Sequence, residues 1–427
     1  MQGLAGSLIA AVLLPSGNVQ AQDLLIRNAT VHTATARGTL RNADVLVRDG
    51  RIAAVGNGLA AGTAEVIDAQ GKPLTPALFG GISEIGLEEV SAEDATTDGA
   101  LALGLTDKDM VVRPEFDVTL AYNPESVLLP VARVEGIGFT LLGANAAPGG
   151  SIIGGQGAVM WLDGSSEPLG PRVLFVELGG GSAAGLTGNS RAAQWMLLDQ
   201  LIGEIRGRIP LASDLALLTP SGRSVLARYV GGGGRVVVGV HRAADIRQLL
   251  RWSQRHGVRI AIVGGAEAWK LAPQLAAAKV PVFVNPLANL PADFDQLGAT
   301  MKNAARLRAA GVAVGDSHNA RKTRQLAGNA VANGLPWEDS LAGLTRVPAE
   351  SFGVGDRLGS IAPGKLADLV LWSGDPLEVS TVAQQVWLGG RAMPMRSRQT
   401  ELRDRYLRSD ATGEGGGLPR AYPPSVR

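Results

Sequence analysis

The 427-residue sequence contains no cysteine. That absence excludes a disulfide framework, thiolate metal sites and a cysteine nucleophile, and it is compatible with an oxidising compartment. Net charge is also nearly absent. Forty Lys and Arg face 39 Asp and Glu, for a formal charge of +1, so no global field draws the chain to nucleic acid or to an anionic membrane surface. Aromatic residues make up only 4%, against 57 glycines. This balance argues against a bundle of long helices. It suits many tight strand–loop–helix junctions, where glycine reaches positive φ cheaply.

What is present is apolar residue, 45% of the chain, enough for a soluble core. The length is too great for one compact core and predicts one large unit with a smaller companion. Residues 1–21 read as an export signal: an apolar run from Leu4 to Leu14, then small residues at Val19-Gln20-Ala21 that allow cleavage after Ala21. The run is too short to span a bilayer. It carries no Lys or Arg ahead of it. The expected location is therefore the periplasm or the exterior, with no membrane attachment after cleavage.

Residues 22–75 read as β-structure. Val45 to Ile52 is two strands joined by Asp49-Gly50, a pair suited to a type I′ turn. Residues 356–395 hold two more strands, Leu366 to Leu371 and Val382 to Leu388. A small antiparallel sheet is unstable alone, so the two ends predict one discontinuous β-sandwich domain. Residues 76–355 alternate short apolar strands with helix-period segments. Arg235 to Val240, Arg259 to Val263, Val282 to Val284 and Val312 to Val314 are each followed by a predicted helix. Such repetition means a parallel sheet, most simply a TIM-like (β/α)8 barrel, with a doubly wound open sheet as the alternative. Two long inserts interrupt it: Leu87 to Asn123, acidic and polar, and Pro148 to Leu169, Gly-rich around Gly154 to Gly157. Both read as lids, binding loops or surface excursions. Residues 396–427 read as an extended surface tail.

Polar residues at the C-terminal ends of barrel strands converge on the active site of such folds. Three fit by position. Glu84 follows the strand after Leu74-Thr75-Pro76, and His241 follows Arg235 to Val240. Asp316 follows Val312 to Val314, with Ser317 and His318 beside it. Each has a structural alternative: a salt-bridge partner for Glu84, a loop hydrogen bond for His241, a helix cap for Asp316. Adjacent Asp316, Ser317 and His318 do not make a nucleophilic triad, because neighbouring residues on an extended chain point opposite ways. Glu267 reads as a helix first-turn carboxylate, and His32 and His256 receive no role. Gly179-Gly180-Gly181 lacks the full dinucleotide fingerprint, and Pro363-Gly364-Lys365 lacks the spacing of a P-loop.

The stretch Asp44 to Gly56, together with Leu344-Thr345, Pro348-Ala349-Glu350 and Gly359 to Val370, resembles the imidazolonepropionase-like and prolidase-like branch of the amidohydrolase superfamily. The resemblance covers Asp23 to Met393. It implies a TIM-like barrel with a small β-sandwich from both chain ends, and hydrolysis of amide-type C–N bonds in non-peptide or dipeptide-type substrates. It also implies one or two divalent metals that activate water, and a homodimer. The family's first-strand His-x-His falls on Ile82 and Glu84, its sixth-strand His on Gly264, and no residue matches its bridging Lys. His241 matches the fifth-strand His and Asp316 the eighth-strand Asp. The resemblance thus implies a degenerate or rearranged site, with catalytic roles for Asp316, His241 and Glu84. One divalent metal, zinc or another, would be held by Glu84, His241, Asp316 and His318, or no metal at all would bind. The alternative is a catalytically inactive protein of this fold that binds a small molecule.

Overall fold

The computed structural model describes residues 23–406, except 91–92, 94–95, 102–111, 147–150, 181–186, 189 and 317–319. The expected export signal and most of the tail beyond residue 406 therefore lie outside the described residues.

Strands at both chain ends form one sheet. They are β1 (Leu24–His32), β2 (Thr39–Arg48), β3 (Arg51–Gly56), β4 (Glu65–Asp68) and β5 (Pro73–Pro76) from the start. Three others lie near the end of the chain, and nine more fall between. The turn joining β2 and β3 places Asp49 at φ 48° and Gly50 at φ 73°, the left-handed pair that Asp-Gly supplies.

Between them run β6 (Leu78–Ser83), β7 (Ile137–Leu142), β8 (Ile153–Gly157), β9 (Val159–Trp161) and β10 (Val173–Glu177). Next come β11 (Arg235–Val240), β12 (Arg259–Gly264), β13 (Val282–Val284) and β14 (Val314–Asp316). The closing strands are β15 (Leu369–Trp372), β16 (Ala383–Leu388) and β17 (Arg391–Ala392).

The end sheet runs β17-β16-β15-β5-β1-β2-β3, with β4 on β1. Its two halves meet edge to edge, where β15 pairs antiparallel with β5 (Val370 opposite Thr75). Where the sequence reading expects two stacked layers, the hydrogen bonds make one continuous sheet. The reason is that β5 presents a free edge that β15 completes. Trp372, fully buried, seals the splice by donating from Nε1 to Thr75 Oγ1 at 2.8 Å.

The middle is TIM-barrel-like, but its strands do not close into a single ring. One sheet runs β14-β13-β12-β11-β10-β8 and a second β6-β7-β9. Strands β10 to β14 are parallel, as the alternation predicts, with Val176, Val238, Ile262, Val282 and Val314 in successive register. The expectation of an all-parallel closed barrel is corrected at β8, which pairs antiparallel with β10, and at the wall between β14 and β6, where no ladder forms among the described residues. A single extended segment carries both β8 and β9. It hydrogen-bonds to β10 through its first half and to β7 through its second, and so stitches the two sheets together.

The Gly-rich part of the second insert is thus a buried strand rather than a loop. A Cβ on Gly157 would lie 2.0 Å from the Leu142 carbonyl oxygen, so glycine is what allows the strands to approach there. The tail also differs from the expected extended chain: Arg398–Tyr406 is a helix.

Alternation sorts the barrel side chains. Val236, Val238 and Val240 of β11 face the covering helices, in a cluster with Ile246, Leu249 and Trp252. Val237 faces the interior, in a cluster with Phe79, Phe139, Phe283 and Phe352. β-Branched residues pack well on both faces of a strand buried in this way.

Candidate active site at the mouth of the parallel strands

The interior face of β10 reads Val173, Phe175, Glu177. Opposite Glu177 on β11 stands Gly239, and a Cβ there would come within 2.0 Å of the Glu177 carboxyl. Glycine at 239 therefore leaves the space into which that carboxyl leans. Glu177 is ringed by protein, yet its side chain is open to water at the mouth. Burial pushes its carboxyl up to about 7, so it exchanges protons near neutrality. Sequence reading passed over this residue. The available signal was the period-2 pattern of Val173-Leu174-Phe175-Val176-Glu177, which puts the glutamate on the Phe175 side at the catalytic end of a strand.

His241 lies two residues beyond Gly239 and reaches the same mouth. Its ring sits over Gly264 at the end of β12: a Cβ at 264 would come within 2.4 Å of the ring. Gly264 has φ 83°, and the space a side chain would need there is taken by the His241 ring. The Nδ1 of His241 is buried and has no hydrogen-bond partner among the described residues. Burial lowers the imidazole pKa, while Asp293 and Asp295 pull it upward, so the ring is held toward its neutral form. Both aspartates lie in the loop that follows β13. Asp295 accepts from Gly180 N at 2.8 Å and pairs with Arg191. Arg191 also donates from Nε to Asp245 at 3.1 Å.

Glu84 lies apart from this group. It follows β6 in the other sheet, where Asn145 Nδ2 donates to its carboxyl. Burial raises Glu84 to about 7, helped by a hydrogen bond and like charge from Glu88 and opposed by Asn145. The pair lines a pocket of about 520 Å³ with Ile82, Ser83 and Arg321. Ile82 packs against the interior apolar cluster.

Of Asp316 the structure describes the backbone, which pairs opposite Val284. His318 lies outside the described residues. Glu267 differs from the expected first-turn carboxylate of its own helix: it precedes the short 3-10 turn Ala268–Leu271 and accepts from Ala243 N, at the start of helix Ala243–His256, at 3.0 Å and from Lys270 Nζ at 2.7 Å. Among the described residues, no three His, Asp or Glu side chains converge to hold a metal ion. A catalytic zinc needs about three protein ligands, so the described donors do not fit the family's metal centre.

Comparison with known proteins agrees with this architecture. The model of the amidohydrolase family matches residues 278–393. The amidohydrolase tasK of Hapsidospora irregularis is 48% identical over 59 residues, which are 14% of this chain and 6% of that protein. The chain thus spans a small part of that curated relative. The crystal structure of an amidohydrolase from Thermotoga maritima MSB8 superimposes with a TM-score of 0.75 at 26% identity, covering 87% of this chain and all of that one. A prolidase complexed with N-methylphosphonate-L-proline shares the fold at a TM-score of 0.52 and 15% identity, over 87% of this chain and 99% of its own. The family model over residues 278–393 and the Thermotoga structure both point to similarity with amidohydrolases.

Proposed function

We propose that the protein hydrolyses C–N bonds of small, non-peptide or dipeptide-type substrates at the mouth formed by β10 to β13. The observation that carries this reading is the placement of Glu177 at the C-terminal end of β10, opposite Gly239 of β11, with His241 two residues beyond that glycine; the raised Glu177 carboxyl, at about 7, is consistent with it. General acid–base groups work best when their pKa lies near the operating pH. Ionised Glu177 takes a proton from water as the water attacks the carbonyl carbon. The protonated carboxyl then returns that proton to the leaving nitrogen. Neutral His241 donates its ring N–H to the developing oxyanion.

The test is a panel of cyclic amides and dipeptides offered to wild type and Glu177→Gln. Turnover in the wild type should fall by about 10²-fold or more in the variant, as for a lost general base, with an unchanged melting temperature. Equal rates in the two proteins would sink this role for Glu177. Elemental analysis of the same preparations tests the other assignment. Stoichiometric metal in the wild type, lost in Asp316→Ala with His241→Ala, would support a single-metal site involving Asp316 and His241.

A second reading has its own support: the positions where the resemblance implies metal ligands hold Ile82 and Gly264, and the His241 ring takes the space over that glycine. A non-catalytic small-molecule binder would turn over nothing in the panel, yet its melting temperature would rise with a compound that binds.

A further inference from the structure

At the opposite end of the same strands lies a second concavity that the hydrolase reading leaves unused. It is an open groove of about 970 Å³ between the helix Ala243–His256 and the short helix Ala272–Ala277. Five cations line it: Arg235 and Arg259, the first residues of β11 and β12, together with Arg247, Arg251 and Lys279. The lining contains no Asp or Glu. Among the described residues these five make no ion pair, and the one hydrogen bond among their side chains is Arg235 to the Ile260 carbonyl oxygen at 2.9 Å. Several other half-buried arginines of this chain are neutralised: Arg223 by Glu204, Arg242 by Asp245, Arg191 by Asp245 and Asp295.

The arrangement opposes stability. Arg247 and Arg251 stand four residues apart on one helix face, a like-charge pair that weakens a helix. Arg235 is half-buried, and both burial and the neighbouring Arg259 charge depress its pKa. A small anion removes both penalties at once, since guanidinium groups fork onto phosphate oxygens. Leu250, Val258 and Leu271 give the groove an apolar floor, which suits the carbon body of an organic ligand. Its volume lies in the range of small-molecule sites, and its concavity favours a compact ligand over a flat membrane or a duplex.

We infer that this groove binds a small organic anion carrying two or more phosphate charges, at a site remote from the candidate active site. The inference does not depend on the hydrolase reading.

Calorimetry on the full chain at about 0.1 M salt, where screening still leaves close charges effective, tests it with inorganic pyrophosphate and with ADP. Saturable binding at one site per chain is expected. Arg247→Ala with Arg251→Ala, both exposed on the helix surface, should weaken it at least about tenfold without lowering the melting temperature. Arg247→Lys with Arg251→Lys should retain part of the affinity. Absence of saturable binding in the wild type, or undiminished binding in the alanine variant, would overturn the proposal. So would sedimentation with phosphatidylglycerol vesicles in place of pyrophosphate or ADP binding, which would make the groove a membrane contact.

Discussion

At the scale of single residues, one buried carboxyl links the barrel-like body to the end sheet. Asp368, almost fully buried just before β15, accepts from Trp161 Nε1 at 2.9 Å and from Gly389 N at 2.8 Å. Burial outweighs these donors and raises its pKa from 3.8 to about 7. A raised folded-state value means the folded protein keeps a proton that the unfolded chain has lost. The stability that this proton contributes is full below about pH 4 and declines as the pH rises toward about 7. A shift of roughly three pKa units bounds the effect at about 4 kcal/mol. Asp368→Asn, which cannot ionise, should flatten this decline. Urea midpoints measured at several pH values between 4 and 8 should show wild type falling relative to the variant as the pH rises; a difference that stays constant with pH would refute the account.

Residue positions were legible in the sequence where a strand pattern pointed to them and illegible where meaning came from a neighbour across the sheet. His241 could be placed at a strand end from Val236 to Val240 alone. For Glu177 the alternation of Val173 to Glu177 gives only the face and the strand end; the room that Gly239 leaves for its carboxyl is set by a neighbour across the sheet. The same holds for Gly264: the sequence shows a glycine, and only the geometry shows that the His241 ring takes the space beside it.

At the scale of elements, the parallel strands β10 to β14 follow from alternating apolar runs, and their order matches the chain. The misread element was β8. Its glycines suggest a loop because glycine weakens a strand, and only contact with Leu142 and Phe175 reveals that they permit close packing. The splice between β5 and β15 rests on Trp372, whose ring is also capped by the Arg324 guanidinium at 5.0 Å. Trp372→Ala should cost about 3–5 kcal/mol. Trp372→Phe, which keeps most of the ring and loses the bond to Thr75, should cost about 1–2 kcal/mol. Denaturant midpoints with an unchanged slope would verify both; a negligible loss in the alanine variant would show that the splice is held elsewhere.

For the whole molecule, pairing of the chain ends sets a timetable. The hydrogen bond that closes the end sheet joins residues 297 positions apart. During synthesis, β1 to β5 emerge first and wait for their partner with one edge unpaired. At about 5–20 residues per second, that wait lasts roughly 15–60 s. An open β edge is a template for pairing with another chain. The N-terminal strands are therefore a natural client for a holding chaperone, and slower translation of the barrel region should raise the aggregated fraction more than slower translation beyond residue 372 does. Ribosome-arrested chains ending before β15 should be cleaved readily by protease within residues 23–76, and chains arrested well after β17 should resist. Equal sensitivity at both lengths would mean that the first strands find cover without the last ones.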